Sequence, residues 1–326
     1  MLLPITVCSA ACDGLAERGE PDELGEGIAR EGLAGEGSGE SGGQFQLGTW
    51  PPSGGTLNTA HLGDSPLMRL LLPGYPHQHL SDDAFIEQVE VMVGGQYQPA
   101  ATIEAEQGEL VAVVDEVARR GSELVGSRWW LTPDGSEFVT ITDYAEQEGR
   151  FGYQFEYERE GELVPDPEVC PPDEDGDGWT YMVGDVRVDV GDGSITDDPG
   201  ALLVACASGA LGKAISWGFV PWHQGRSRDL DLYQTGVRTV RADYCGDGLS
   251  FTEDGTLIQV SNIPAGQSFV APEQSTEAVF GPDGAICLSN PRVEGLSPLC
   301  KIPECDASID PLSALGVLTW TKLAPS

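Results

Sequence analysis

Phe151, Tyr153, Phe155 and Tyr157 alternate with Gly152, Gln154, Glu156 and Glu158, a period of two that predicts a half-buried β-strand. Residues 126–132 and 136–144 flank Pro133-Asp134-Gly135, whose chemistry suits a hairpin turn. Apolar-rich runs at 86–93 and 109–114 add further strands, so the pattern over 45–165 predicts an antiparallel β meander of the sandwich or barrel type. Val164-Pro165-Asp166-Pro167 then breaks the pattern and marks the expected boundary with a second domain, 166–326.

In that second part Val186, Val188 and Val190 alternate with charged residues, predicting another strand. Apolar residues at 203, 206, 207, 210, 211, 214 and 215 follow helical spacing and predict a short helix across 203–215, despite Gly209 and Gly212. Tyr233, Val237, Val240 and Tyr244 predict an amphipathic helix over 230–244, stopped at Gly246. Glu253-Asp254-Gly255 reads as a turn within 251–260 feeding a strand, and the C-terminal part as irregular chain held by covalent links. The fold class expected is β-rich α+β: an N-terminal antiparallel meander followed by a disulfide-linked α+β domain.

Composition changes this picture at the N-terminus. Residues 13–44 are almost entirely small or acidic, with too few large apolar side chains to offset the entropy of ordering, and predict a flexible acidic tether. Before them, residues 1–12 resemble the end of a secretory signal, with Ser9-Ala10-Ala11 ahead of Cys12 as the residue that would be lipidated. An exported protein, secreted or held at the cell envelope by that lipid, is the expectation. With 53 acidic against 17 basic residues the net charge is -36, which disfavours nucleic acid and anionic lipid as partners. A surface or extracellular ligand fits better.

The remaining six cysteines, Cys170, Cys206, Cys245, Cys287, Cys300 and Cys305, form an even set that predicts disulfides in an exported chain, with fifteen connectivities open. Zinc is the alternative use, but only Cys300 and Cys305 have ligand-like spacing. Asp173-Glu174-Asp175-Gly176-Asp177-Gly178 matches the first half of a calcium loop: carboxylates at alternate positions converge on one hard cation, and the glycine is expected to permit a sharp turn. Asp173, Asp175 and Asp177 are the candidate ligands, although position twelve of the loop is Gly184, with Asp185 beside it. A thiolate nucleophile at Cys245, served by a base such as His223, is the enzymatic alternative. His61, His77 and His79 fall in no catalytic signature, and no G-x-S-x-G, Walker A or H-E-x-x-H motif occurs.

Cys206-Ala207-Ser208-Gly209-Ala210-Leu211-Gly212-Lys213, Trp217-Gly218-Phe219, Pro221-Trp222, Ala242-Asp243-Tyr244-Cys245-Gly246-Asp247-Gly248, Gly284-Ala285-Ile286-Cys287 and Pro291-Arg292 resemble, in that order, the signature of the ADYC domain family. Gly126-Ser127-Arg128-Trp129-Trp130 resembles the segment that precedes it. The resemblance implies an exported, often lipoprotein-like protein of myxobacterial type and carries over no catalytic residue. Relatives often have a cysteine shortly after Gly-Lys, where this chain has Ala214, so their cross-links do not transfer directly. The expected role is a non-catalytic binding or structural module, stabilised by disulfides and by calcium.

Overall fold

The computed structural model describes residues 56–63, 65, 67–73, 75, 84–161, 164, 168–173, 177–222, 230–262, 276–295, 297–305 and 319–323. The signal-like segment with Cys12, the acidic tether, Asp175, His77, His79 and His223 lie outside them. In chain order the strands are β1 (Thr56–Leu57), β2 (Arg69–Leu71), β3 (Ala84–Phe85), β4 (Gln88–Val93), β5 (Gln96–Pro99), β6 (Thr102–Glu106), β7 (Glu109–Val114) and β8 (Val117–Arg120). A 3-10 turn at Gly121–Leu124 leads into β9 (Arg128–Trp130), β10 (Glu137–Gln147), β11 (Arg150–Arg159), β12 (Thr180–Val188) and β13 (Ile195–Cys206). Two helices follow, α1 (Ala210–Ser216) and α2 (Leu230–Arg241), and then β14 (Leu257–Asn262), β15 (Thr276–Gly281), β16 (Gly284–Leu288) and β17 (Thr319–Leu323).

A nine-stranded sheet in the order β3-β2-β13-β12-β11-β10-β9-β4-β5 forms the centre. Strands β9 to β13 are a consecutive antiparallel meander, and β2 with β3 is the parallel pair. The chain is thus a β-dominated sheet region followed by a smaller α+β region carrying three disulfides, a mixed α+β fold. Strand β11, before the expected boundary, pairs with β12 after it.

Both faces of the central strands are covered. Met182, Leu202, Val204 and Cys206 pack with Trp129, Tyr153 and Phe155 and with the small sheet β6-β7-β8, whose Ile103, Leu110 and Ala112 point inward. Tyr181, Val183, Leu203 and Ala205 face the other way, against Leu211, Ile215, Tyr233 and Val237 of the helices. A residue run buried on both faces has no reason to alternate. This explains the main correction: residues 203–206 finish β13, and α1 begins only at Ala210. Helical spacing of apolar residues there reflects a fully buried strand running into a helix.

The hairpin at Pro133-Asp134-Gly135 is present, with β9 paired to β10 and Gly135 at φ 69°. So is the turn before β14, where Gly255 takes φ 77° and its N–H donates to the Asn58 carbonyl. Strand β12 ends at Val188, two residues short of the expected Val190, which is 63% exposed in the turn to β13. The expected irregular C-terminus contains β15, β16 and β17, which complete a five-stranded sheet β1-β14-β17-β15-β16. Among the described residues, the irregular stretch after β16 is tied down covalently through Cys300 and Cys305.

Candidate functional site

The residues with the most unusual surroundings cluster where α2 ends. The helix stops at Arg241 and not at Gly246, because Ala242 turns into the left-handed region at φ 51°. A helix end leaves its last four carbonyls without intrahelical donors. Here all four are satisfied: the Asp243 N–H donates to Arg238 O (2.9 Å), Arg292 Nη2 to Thr239 O (3.0 Å), Arg292 Nη1 to Val240 O (2.9 Å), and Phe251 N–H to Arg241 O (3.1 Å).

Asp243 is fully buried, accepts from Arg238 and from the Gly248 N–H (3.0 Å), and is pushed up in pKa by that burial against the opposing pull of Arg238. Arg238 also donates to the Asp192 carbonyl, tying α2 to the β12–β13 turn. Beside it Tyr244 stacks on Phe280 with ring centres 5.7 Å apart. Its hydroxyl donates to Glu277 Oε1 (2.8 Å) and accepts from the Arg292 N–H (2.8 Å), and burial raises its pKa far above the ordinary phenol value. Arg292 and Glu277 form an ion pair at 2.9 Å with both side chains at 0% exposure. Charges so placed require each other, since either one alone would be a desolvated ion without a counter-charge.

Cys245 is joined to Cys300, Cys287 to Cys305 and Cys170 to Cys206. All six cysteines outside the N-terminal segment are therefore paired. This corrects the thiolate alternative: the sulfur of Cys245 is engaged in a bond and is no nucleophile in this state. Cys300 and Cys305 are likewise half-cystines and not zinc ligands.

The glycines of the signature serve close approaches. A Cβ on Gly246, at φ 68°, would lie 2.1 Å from Asp283 O, and one on Gly284, at φ 114°, 2.7 Å from Tyr244 O. Gly212 lets α1 lie against the end of β13, where a Cβ would meet Cys206 O at 2.1 Å. Gly236 of α2 receives Phe219, which is fully buried. Gly218, at φ 91°, ends α1, with its N–H donating to Ile215 O and that of Phe219 to Ala214 O. In the preceding segment Trp129 is fully buried against Phe155.

The acidic loop is partly visible. The Asp177 N–H donates to Asp173 Oδ1 (3.2 Å) and the Asp173 N–H to Asp177 O (2.9 Å), so the backbone of one candidate calcium ligand is bonded to the other residue. Gly178 does not occupy the left-handed region that a sharp turn would need; its Cβ would lie 2.6 Å from Cys170 O, so close packing is what requires glycine. The chain then enters β12 and not a helix, and Asp185 sits at a bulge with φ 53°, accepting from the Gly200 N–H (2.9 Å). Among the described residues no group of three or more His, Cys, Asp or Glu is placed to hold a metal ion. His61 lies 3.2 Å from Asp254, a surface pair; hydrogen bonds from the Ala60 N–H and Thr59 hold that carboxyl below its ordinary pKa.

Sequence reasoning missed one concave feature, a cleft of about 400 Å³ between β6 and the central sheet, lined by Glu87, Gln88, Thr102, Glu104 and Asp185 above apolar Val89 and Leu202. Its acids come from three separate strands or loops and carry no common spacing, so only the fold reveals it. None of the signature residues lines it.

A β-rich α+β domain whose helix end, buried ion pair and cystines lock one another in place is the class that this geometry defines. The ADYC domain matches residues 121–294, more than half of the chain, and the chain belongs to that family. No curated protein and no solved structure matches it.

Proposed function

We propose that this protein is an exported, non-catalytic binding module, anchored or released at the cell envelope, in which the ADYC signature is a folding device that holds a separate ligand surface rigid. The observation that carries this reading is the commitment of the signature side chains: Asp243, Tyr244, Cys245, Arg292 and Cys206 are all engaged in buried hydrogen bonds, an ion pair or cystines. Rigid surroundings lower the ordering cost when a partner binds. The cleft bounded by Glu87, Glu104 and Asp185, with no basic residue among the described residues that line it, favours a cationic ligand group over an anionic one.

Cystines fit an oxidising compartment, which supports export, and Cys12 with the tether behind it would supply the anchor. No helix among the described residues is long and apolar enough to cross a membrane. Calcium bound by Asp173, Asp175 and Asp177 would brace the segment between Cys170 and β12. The test is thermal unfolding in millimolar calcium and in chelator. Binding at about 100 times the dissociation constant adds about 2.7 kcal/mol to the folded state, so the melting temperature should rise measurably and the rise should vanish in Asp175→Ala. Equal melting curves with and without calcium would remove the ion from the account.

A further inference from the structure

The three cystines differ sharply in what surrounds them. Cys170 and Cys206 are 1% and 0% exposed, and Cys287 is 0% exposed with only its partner Cys305 partly open. Cys245 is partly open and Cys300 is exposed, so the Cys245–Cys300 bond is the one of the three that leaves neither of its cysteines buried. The Cys300 N–H donates to Cys245 Sγ at 3.4 Å. Such a donor stabilises charge that develops on that sulfur. Leu299, immediately before Cys300, is 92% exposed, so the approach to Cys300 is flanked by an open apolar side chain.

We propose that Cys245–Cys300 is a thiol–disulfide exchange site that accepts a dithiol reductant, attacked at Cys300 and releasing Cys245. An incoming thiolate forms a bond to Cys300 Sγ as the Cys245–Cys300 bond breaks, and the bonding pair leaves on Cys245 Sγ. The second thiolate of the reductant then attacks its own sulfur in the mixed disulfide and releases Cys300. The dithiol ends as a disulfide, having given two electrons and two protons to the two cysteines. The same exchange is disfavoured at the Cys287–Cys305 bond, where attack on Cys305 would have to expel a thiolate at fully buried Cys287. At Cys170–Cys206 neither residue is accessible.

Release of this bond leaves the interior intact. Tyr244, Glu277 and Arg292 still hold α2 to β15 through their own hydrogen bonds, and Cys287–Cys305 still closes the segment on either side of Cys300. The exchange would therefore loosen the surface loop around Leu299 without unfolding the domain. This inference is independent of what the acidic cleft binds.

The test is native-state reduction of the full chain by limiting dithiothreitol, quenched with iodoacetamide and read by peptide mass. Cys245 and Cys300 should be labelled at least ~10-fold faster than the other four cysteines, with the near-ultraviolet circular dichroism preserved. With glutathione in place of the dithiol, the trapped mixed disulfide should sit on Cys300. Earlier labelling of Cys287 and Cys305, simultaneous labelling of all six, or loss of the tertiary spectrum on reduction of this bond alone would overturn the proposal. A glutathione adduct on Cys245 would overturn the assignment of attacked and leaving sulfur.

Discussion

Arg292 holds two helix carbonyls, a buried carboxylate and, through its backbone, a tyrosine hydroxyl, so its removal strands several groups at once. Arg292→Leu should cost about 3–5 kcal/mol, the usual penalty for leaving one partner of a buried ion pair uncompensated. Tyr244→Phe should cost less, about 1–3 kcal/mol, since it removes one donor from Glu277 and one acceptor from the Arg292 N–H. Urea unfolding of the two variants checks both the sizes and their order; a near-neutral Arg292→Leu would contradict the ion-pair account. The sequence marks Arg292 only through its place in the family signature. Its role is illegible there because Glu277 lies 15 residues away and the Thr239 carbonyl 53. Asp173 and Asp177 are the opposite case, a contact across only four residues, close enough in sequence for a local pattern to pick out both.

Local periodicity found the elements with one open or polar face and failed where burial is two-sided. Strand β11 alternates as its aromatic residues require, and the β9–β10 hairpin follows from its turn residues. Strand β15 is buried at all six positions, Thr276 and Glu277 included, so neither a period of two nor an apolar run marks it. In α2 the apolar stripe was legible, but its polar residues are buried as well. Gln234 bonds Ile195 and Gly193 in the adjoining turn, while Thr235 and Thr239 bond carbonyls one turn back in the helix. Glycine within a helix ordinarily costs stability relative to alanine, by about 0.8–1.0 kcal/mol. At Gly212 the sign should reverse: the Cβ would press on Cys206 O at 2.1 Å, so Gly212→Ala should destabilise by about 1–3 kcal/mol in thermal unfolding, and a stabilised variant would show that α1 does not lie this close to β13.

Across the molecule, the three cystines tie irregular segments to regular elements. One cystine pins the acidic segment to the end of β13, and two secure the irregular stretch after β16 to the end of α2 and to β16 itself. The number of cross-links was readable from an even cysteine count, but the connectivity was not, because pairing depends on a topology that folds α2 against β15. The acidic surplus was equally plain, whereas the cleft that concentrates three carboxylates required the bulge at Asp185 and the packing of β6 on the central sheet. The central claim is that the family signature closes upon itself as a folding core. Peptide mapping of the oxidised chain, digested without reduction and with free thiols blocked, tests it most directly. The account predicts the pairs Cys170–Cys206, Cys245–Cys300 and Cys287–Cys305 with no blocked thiol among these six; a free thiol at Cys245, or its pairing with any cysteine other than Cys300, would contradict it.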